Sequence, residues 1–427
     1  MARIAPRFAR VEPRRRVRAF VAGLLAGLPR TNCWTIAEHA GDVSPDGMQH
    51  LLTGAVWDAD AVRDDLRGYV TEHLGDPDAV LVIDETGDLK KGTDTVGVQR
   101  QYTGTAGRIE NAQVAVYLTY AAPAGYAFID RTLYLPRSWT GDPARCAAAG
   151  IPPDVEFATK PAQATAMIAR ALDAGTPARW AAGDEVYGAD PGLRGELVRR
   201  RLGYVLAVAK SHQVTTGIGP VRADELTARL PKQAWQRISA GNGAKGERFY
   251  DWAQVDTVDA AADPDAAGSH WLLIRRNRRT GELAYYRAYS PQPVGLAALV
   301  RVAGTRWRIE ESFQSGKELT ALDQHQVRRW TSWHRWTVLA MLAHAFLSVM
   351  TATQPADNPH TGLIPLTRNE IRRLFTAATA TIQQATHTLH WSTWRRRHQA
   401  RSRTSLGFSH GLIDSALEAA KSAPDLQ

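Results

Sequence analysis

The chain has 427 residues, enough for two or three domains around a sizeable core. Lysine and arginine number 52 against 43 aspartates and glutamates, and the net charge of +9 favours a polyanionic partner without specifying a fold. The two cysteines, Cys33 and Cys146, stand in no metal-ligand spacing, which argues against a zinc site or a disulfide scaffold and fits a reducing compartment. The N-terminus is arginine-rich but has no apolar signal core, so the expectation is a cytoplasmic protein.

Residues 1–75 read as a helical N-terminal region with a short basic run from Arg14 to Arg18. A helix is expected from Asn32 to Ala40, stopped near Gly41. Ser44-Pro45 then reads as an N-cap followed by a proline at the first helical position, leading into Asp46–Leu52. Helix, short turn, helix is the outline of a DNA reader, and equally of an ordinary helical hairpin.

Residues 76–210 alternate in α/β fashion. Strands are expected at 79–84, 113–120, 126–135, 178–183 and 204–209, and helices at 161–174 and 190–201. The turn at Gly125 separates two runs that can pair as a hairpin. Early hairpin-forming strands, then helix, strand, helix and strand, fit an α/β, RNase H-like core.

Residues 211–292 read as a β-rich insertion. Its candidate strands Trp271–Ile274 and Leu283–Tyr289 are joined by the basic connection Arg275-Arg276-Asn277-Arg278-Arg279-Thr280-Gly281. On a DNA enzyme, Arg276 and Arg278 there are candidates for phosphate contact. The plainer alternative is a solvated hairpin tip.

Residues 293–350 are helical and carry the second part of the core. Trp330, Trp333 and Trp336 recur every third residue and are expected to face the core. Val338–Met350 is expected to be a core helix too short to span a bilayer. Residues 351–404 form a basic helical C-terminal region. It holds a helix from Ile364 to Ala377 capped by Thr367, then Trp391–Arg403. There Arg395, Arg396, Arg397, Arg401 and Arg403 are placed to follow a DNA backbone. The tail 405–427 is unassigned.

The stretch Arg306-Trp307-Arg308-Ile309-Glu310-Glu311-Ser312-Phe313-Gln314-Ser315-Gly316-Lys317 has helical character. A helix turns about 100° per residue, so Arg306, Glu310, Gln314 and Lys317 share one side, two cations bracketing a carboxylate. Simple i,i+4 pairing accounts for such a layout, and so does a carboxylate that must hold a metal beside a phosphate. Upstream, two apolar runs end in acids: Ala79-Val80-Leu81-Val82-Ile83-Asp84-Glu85 and Ala178-Arg179-Trp180-Ala181-Ala182-Gly183-Asp184-Glu185. Functional side chains of α/β sheets emerge at such strand ends. Helical rotation favours Glu310 over Glu311, and strand alternation puts Glu85 on the opposite side from Asp84.

Asp84, Asp184 and Glu310, framed by Arg306 and Lys317, resemble the DDE catalytic set of bacterial insertion-sequence transposases. The similarity is to the branch with an R-x-x-x-E-x-x-x-x-x-x-K helix (IS-four superfamily, IS-seven-hundred-and-one-like). Further stretches resemble the same family: Asp84-Glu85-Thr86-Gly87, Lys90-Lys91-Gly92, Gly97-Val98-Gln99-Arg100-Gln101-Tyr102, Gly183-Asp184-Glu185-Val186-Tyr187-Gly188 and Leu322-Asp323-Gln324. The resemblance runs from about Trp34 to about Gln399. Two positions depart from it: Ala303 stands where the family has a tyrosine three residues before the arginine, and Asp88 where an aromatic is expected.

The resemblance implies metal-dependent DNA cleavage and strand transfer. Mg²⁺, or Mn²⁺ in its place, would be held by Asp84, Asp184 and Glu310, with Asp84 bridging two ions. It implies DNA contacts from Arg306, Lys317, Lys90, Lys91 and Arg308, element ends and target DNA as partners, a homodimer in the DNA complex, and no organic cofactor. Packing rather than base stacking is expected of Tyr187 and Trp139. A nuclease of the same fold without strand transfer, or a non-catalytic DNA-binding relic, are the other readings.

Overall fold

The computed structural model describes residues 1–217, 219–243, 246–258, 268–354, 365–379, 386–387, 389–398 and 401. The chain opens with four helices: α1 (Val11–Leu25), α2 (Cys33–His39), α3 (Asp46–Leu52) and α4 (Ala59–Leu74). Asn32 caps α2, its side chain accepting from Trp34 N and Thr35 N while Thr35 Oγ1 accepts from Asn32 N. Gly41 follows in the left-handed region, at φ +81°. The start of α3 differs from the sequence reading. Pro45 itself is the N-cap and has no polar side chain to cap with; Ser44, one position earlier, donates to the Asp46 carboxylate at 2.8 Å and accepts weakly from Asp46 N at 3.4 Å.

The core follows. It comprises β1 (Val80–Leu89), β2 (Gln99–Thr103), β3 (Arg108–Ala122), β4 (Gly125–Leu133), α5 (Arg137–Thr140), α6 (Pro143–Ala149), α7 (Lys160–Asp173), β5 (Trp180–Gly183), α8 (Glu185–Gly188), α9 (Pro191–Arg199) and β6 (Gly203–Val208). β3 and β4 form the hairpin turning before Gly125, with Ala122 opposite Gly125. The order β4-β3-β1-β5-β6, antiparallel on the β3 side of β1 and parallel through β5 and β6, is the RNase H-like arrangement. Val80 to Ile83 and Trp180 to Gly183 are buried throughout, as strands covered on both faces must be.

The next segment comprises β7 (Gln213–Thr216), β8 (Gly219–Arg222), α10 (Ala223–Ala228), β9 (Gln236–Gly243), β10 (Gly246–Thr257), β11 (Ser269–Arg276) and β12 (Leu283–Ser290). β12 pairs antiparallel with β6, and β11, β10 and β9 continue outward, making one ten-stranded sheet. β7 and β8 form a separate ribbon.

Four helices follow: α11 (Leu296–Thr305), α12 (Trp307–Thr320), α13 (Trp330–Ala352) and α14 (Arg368–Thr379). α13 is longer than the sequence reading, at 23 residues. By length and composition it can cross a membrane, yet 72% of its apolar window is buried inside the protein. It packs against α4, β4 and α1, with Trp333 and Trp336 in the core and Trp330 half-buried. On the same helix, Arg335 donates from its two terminal nitrogens to the carbonyls of Leu51, Thr53, Ala55 and Trp57, at 2.7–3.3 Å, and so fastens α13 to the α3–α4 connection. α14 starts at Arg368, where Thr367 Oγ1 accepts from Glu370 N. Residues 389–398 are helical; Ile364, Arg403 and the tail lie outside the described residues.

Candidate active site

β1 and β5 are parallel neighbours in register from Val80 opposite Trp180 to Val82 opposite Ala182. Two residues beyond that pairing, Asp84 and Asp184 emerge side by side at the carboxyl ends of both strands. Asp184 is also the N-cap of α8, its Oδ1 accepting from Val186 N at 2.9 Å. The Gly-Asp-Glu-Val-Tyr-Gly run closes tightly over β6. A Cβ on Gly188 would sit 1.9 Å from the Ala207 carbonyl oxygen, so only glycine lets this turn lie so close.

Alternate residues of β1 meet α12 and the segment after it. Arg306 Nη1 lies 3.5 Å from Asp84 Oδ2, Lys317 Nζ donates to Thr86 Oγ1 at 2.8 Å, and His325 Nε2 lies 3.1 Å from Asp88 Oδ2. Glu310, in the first turn of α12, accepts from Arg306 Nη2 at 2.6 Å. The Arg306 guanidinium thus stands between Asp84 and Glu310. Glu311 points elsewhere and accepts from Arg308 at 2.7 Å.

Glu85 takes the opposite side of β1. Lys160 Nζ donates to its Oε1 and Tyr187 OH to its Oε2, both at 2.6 Å. This clamp joins α7, β1 and the turn that carries Asp184. Sequence reasoning gave Glu85 no partner; the only hint was Tyr187, three residues after Asp184.

The electrostatics follow from crowding of like charge. Burial, Asp184 and Glu85 push the Asp84 carboxyl up to about 8, against the opposing pull of Arg306. Burial and Glu85 also raise Asp184. Burial and the Glu85 carboxylate push the Tyr187 phenol well above its ordinary value. Asp88 differs. Burial alone would raise it, but the His325 hydrogen bond, with Lys90 and Lys317 nearby, holds it below the usual carboxylate range. The polar partner His325, fully buried, accounts for a carboxylate where an aromatic was expected. Ala303 lies half-buried on α11, and the charges of Tyr286 of β12 and Arg306 each shift the other's ionisation.

The remaining candidates divide by partner. Lys90 turns inward, donating to the His325 carbonyl at 3.1 Å, whereas Lys91 is exposed. Arg276 and Arg278 both reach Asp251, at 3.0 and 3.4 Å, and Arg276 also lies over the Trp235 ring. Arg395 pairs with Glu38 at 2.5 Å, while Arg396 and Arg397 are exposed. Tyr187 and Trp139 are buried, the latter donating to the Val98 carbonyl.

Among the described residues no three His, Cys, Asp or Glu side chains are grouped closely enough to hold a metal ion. The donor set nevertheless fits a hard divalent cation. Two adjacent carboxylates with raised proton affinity mark negative charge that lacks full compensation, and all the donors are oxygens. Arg306 meets part of that demand between Asp84 and Glu310.

The profile of the DDE superfamily endonucleases matches residues 3–252. A probable transposase for insertion sequence element IS701 from Microchaete diplosiphon is 30% identical over 196 residues, 45% of this chain and 48% of that protein. The match therefore spans about half the length of this curated relative. Among solved structures, the piggyBac transposase synaptic complex with hairpin DNA is similar at a TM-score of 0.46, with 9% identity, over 90% of this chain and 76% of the other. The NurA nuclease from Sulfolobus solfataricus is similar at 0.28, with 8% identity, over 60% and 86%.

Proposed function

Because the chain belongs to the DDE superfamily of endonucleases, we propose that it is a transposase that cuts the DNA ends of its own insertion sequence and joins them to a target. The observation that carries this reading is the placement of Asp84 and Asp184 at the ends of adjacent parallel strands, with Glu310 facing Asp84 across Arg306. Mg²⁺, or Mn²⁺ in its place, would supply activation of the attacking water and stabilisation of the leaving oxygen. Asp84, Asp184 and Glu310 are the residues that would hold it.

Arg306 has a second role in this reading. Its guanidinium is planar and forked, suited to a phosphate as much as to a carboxylate, so it can exchange Glu310 for the scissile phosphate. Lys317, held at Thr86, adds a second cation on the same side. Glu85 keeps the Asp184 turn against β1 through Tyr187 and Lys160. No protein nucleophile is needed; the 3′-hydroxyl released by cleavage attacks the target at the same carboxylates. The enzyme works in the cytoplasm where its DNA lies, and assembles as a homodimer across paired ends.

The test is a cleavage and joining assay on labelled DNA from the flanks of the gene, with Mg²⁺ or with EDTA, for wild type and Glu310→Gln. Cleaved and joined products that disappear with EDTA and with Glu310→Gln are expected. Cleavage without joined product replaces the transposase reading with a nuclease. Binding without cleavage in any metal defeats both.

A further inference from the structure

Three clefts of about 790, 730 and 570 Å³ open on the surface beside the end of β1. Shared arginines join them into one basic surface, called the trough below. Arg328 lines all three, Arg30 lines the first two, and Arg329 lines the first and third. Its walls come from distant parts of the chain: the loop after β1, the α5–α6 pair, the connection between α12 and α13 with the start of α13, the α2–α3 pair with its preceding loop, and Arg395 near the C-terminus. The last turn of α3, through Gln49 and Thr53, forms the far end.

The trough is basic and its cations divide: Lys90, Arg145 and Arg395 are engaged within the protein, and the other four face solvent. Arg30, Lys91, Arg328 and Arg329 are all exposed. Arg328 has only a loose pairing with Asp94, 3.8 Å apart with both side chains more than 70% exposed. Among the described residues Arg30, Lys91 and Arg329 make no ion pair. The carboxylates that also line it are Glu38, already paired with Arg395, together with Asp94 and Asp323. Guanidinium groups gathered around an open trough repel one another until an anion enters. A line of such groups, rather than one pocket, fits a chain of phosphates.

The trough also begins in the right place. Lys90 follows Asp84 by six positions along β1 and its continuation, about 20 Å at about 3.3 Å per residue. That distance equals about six base pairs at about 3.4 Å each. We propose that the trough seats the duplex DNA flanking the cut bond. Arg30, Arg328 and Arg329 grip its backbone from about six base pairs onward, and Lys91 lies nearest the carboxylates. The inference rests on the reading of this chain as a DNA-cutting enzyme, and adds the path that the DNA takes to the site.

The experiment is a salt titration of binding, by fluorescence anisotropy, of the full chain to a labelled duplex in EDTA, where no cleavage competes. Arg328→Ala/Arg329→Ala is compared with wild type and with Arg199→Ala/Arg229→Ala, which removes equal charge from exposed positions outside the trough. Each lost phosphate contact lowers the slope of log K against log salt by about 0.9, so the trough variant should lose close to 2 and bind about tenfold more weakly. Arg30→Ala should lose about one more. Phosphate-ethylation interference should move to phosphates at least about six base pairs from the cut. A trough variant with the slope and affinity of the control variant overturns the proposal, as does tighter binding of single-stranded than of duplex DNA. A wild type that binds duplex with this arginine dependence but never cuts it upholds the trough and defeats the enzyme reading. Normal cutting with unaltered binding in the variant does the reverse.

Discussion

The carboxylate site and the basic trough use the same residue types in opposite ways. At the site every framing cation is engaged within the protein: Arg306 with Glu310 and Asp84, Lys317 with Thr86, Lys160 with Glu85. In the trough Arg30, Lys91, Arg328 and Arg329 stand in solvent. Groups locked by neighbours lose little freedom when a substrate arrives, which suits chemistry; exposed groups attract from a distance, which suits capture. The contrast teaches that a count of charges is not a count of available charges.

Separating the two regions experimentally gives the largest effect first. Glu310→Gln should lower the cleavage rate by a factor of about 1,000 or more while leaving duplex affinity unchanged, because in the proposed function it removes a carboxylate that would hold the metal, and it removes no trough residue. Single-turnover cleavage beside anisotropy checks this, and an equal loss of binding would blur the contrast. Glu85→Gln should cut the rate by about 10- to 100-fold, as expected when the support of a site residue is weakened. It should also raise the metal concentration needed for half-maximal rate, with little change in the melting midpoint.

A smaller effect comes from pH, measured on metal-free protein in chelator. In the folded state Asp84 keeps its proton up to about 8, whereas in the unfolded chain it loses it near 3.8. Between those values the folded state binds the extra proton, so this residue makes stability fall as pH rises from about 4 to about 8. Asp84→Asn should flatten that decline in thermal melts. His334 acts in the other direction. Burial and Arg131 hold it down at about 3, so the stability it contributes is complete above about 6.5 and is lost as pH falls toward 3. The smallest change tests a paired basic region directly. Asp251→Asn releases Arg276 and Arg278, and nonspecific duplex affinity should rise about two- to fivefold at low salt.

Much of the core was legible because its signals are local. Continuous apolar runs gave β1 and β5, and helical rotation separated Glu310 from Glu311, whose partner is Arg308. The RNase H-like order followed from the succession of elements. What was hidden depends on contacts between distant positions. Asp88 meets His325, 237 residues away, and Glu85 meets Tyr187, 102 residues away. In the basic hairpin, Arg276 lies in register with Asp251 across two paired strands, so a run that reads as free positive charge is already matched. The trough is assembled from segments that show no shared pattern along the chain. Ser44 was misplaced by one position: Pro45 stands at the N-cap, and the Ser44 hydroxyl donates to a neighbouring acid.

Arg335 has a further consequence for the order in which the protein becomes itself during synthesis. The carbonyls of Leu51, Thr53, Ala55 and Trp57 wait for a guanidinium that is translated more than 270 positions later. Until α13 leaves the ribosome, the first four helices lack both that fastening and the apolar surface of Trp333 and Trp336. The wall of the trough that α13 lines through Ser332 and Trp336 therefore matures late. In the proposed reading, a nascent or truncated chain that contains Asp84 and Asp184 but not α13 has no assembled site with which to cut DNA.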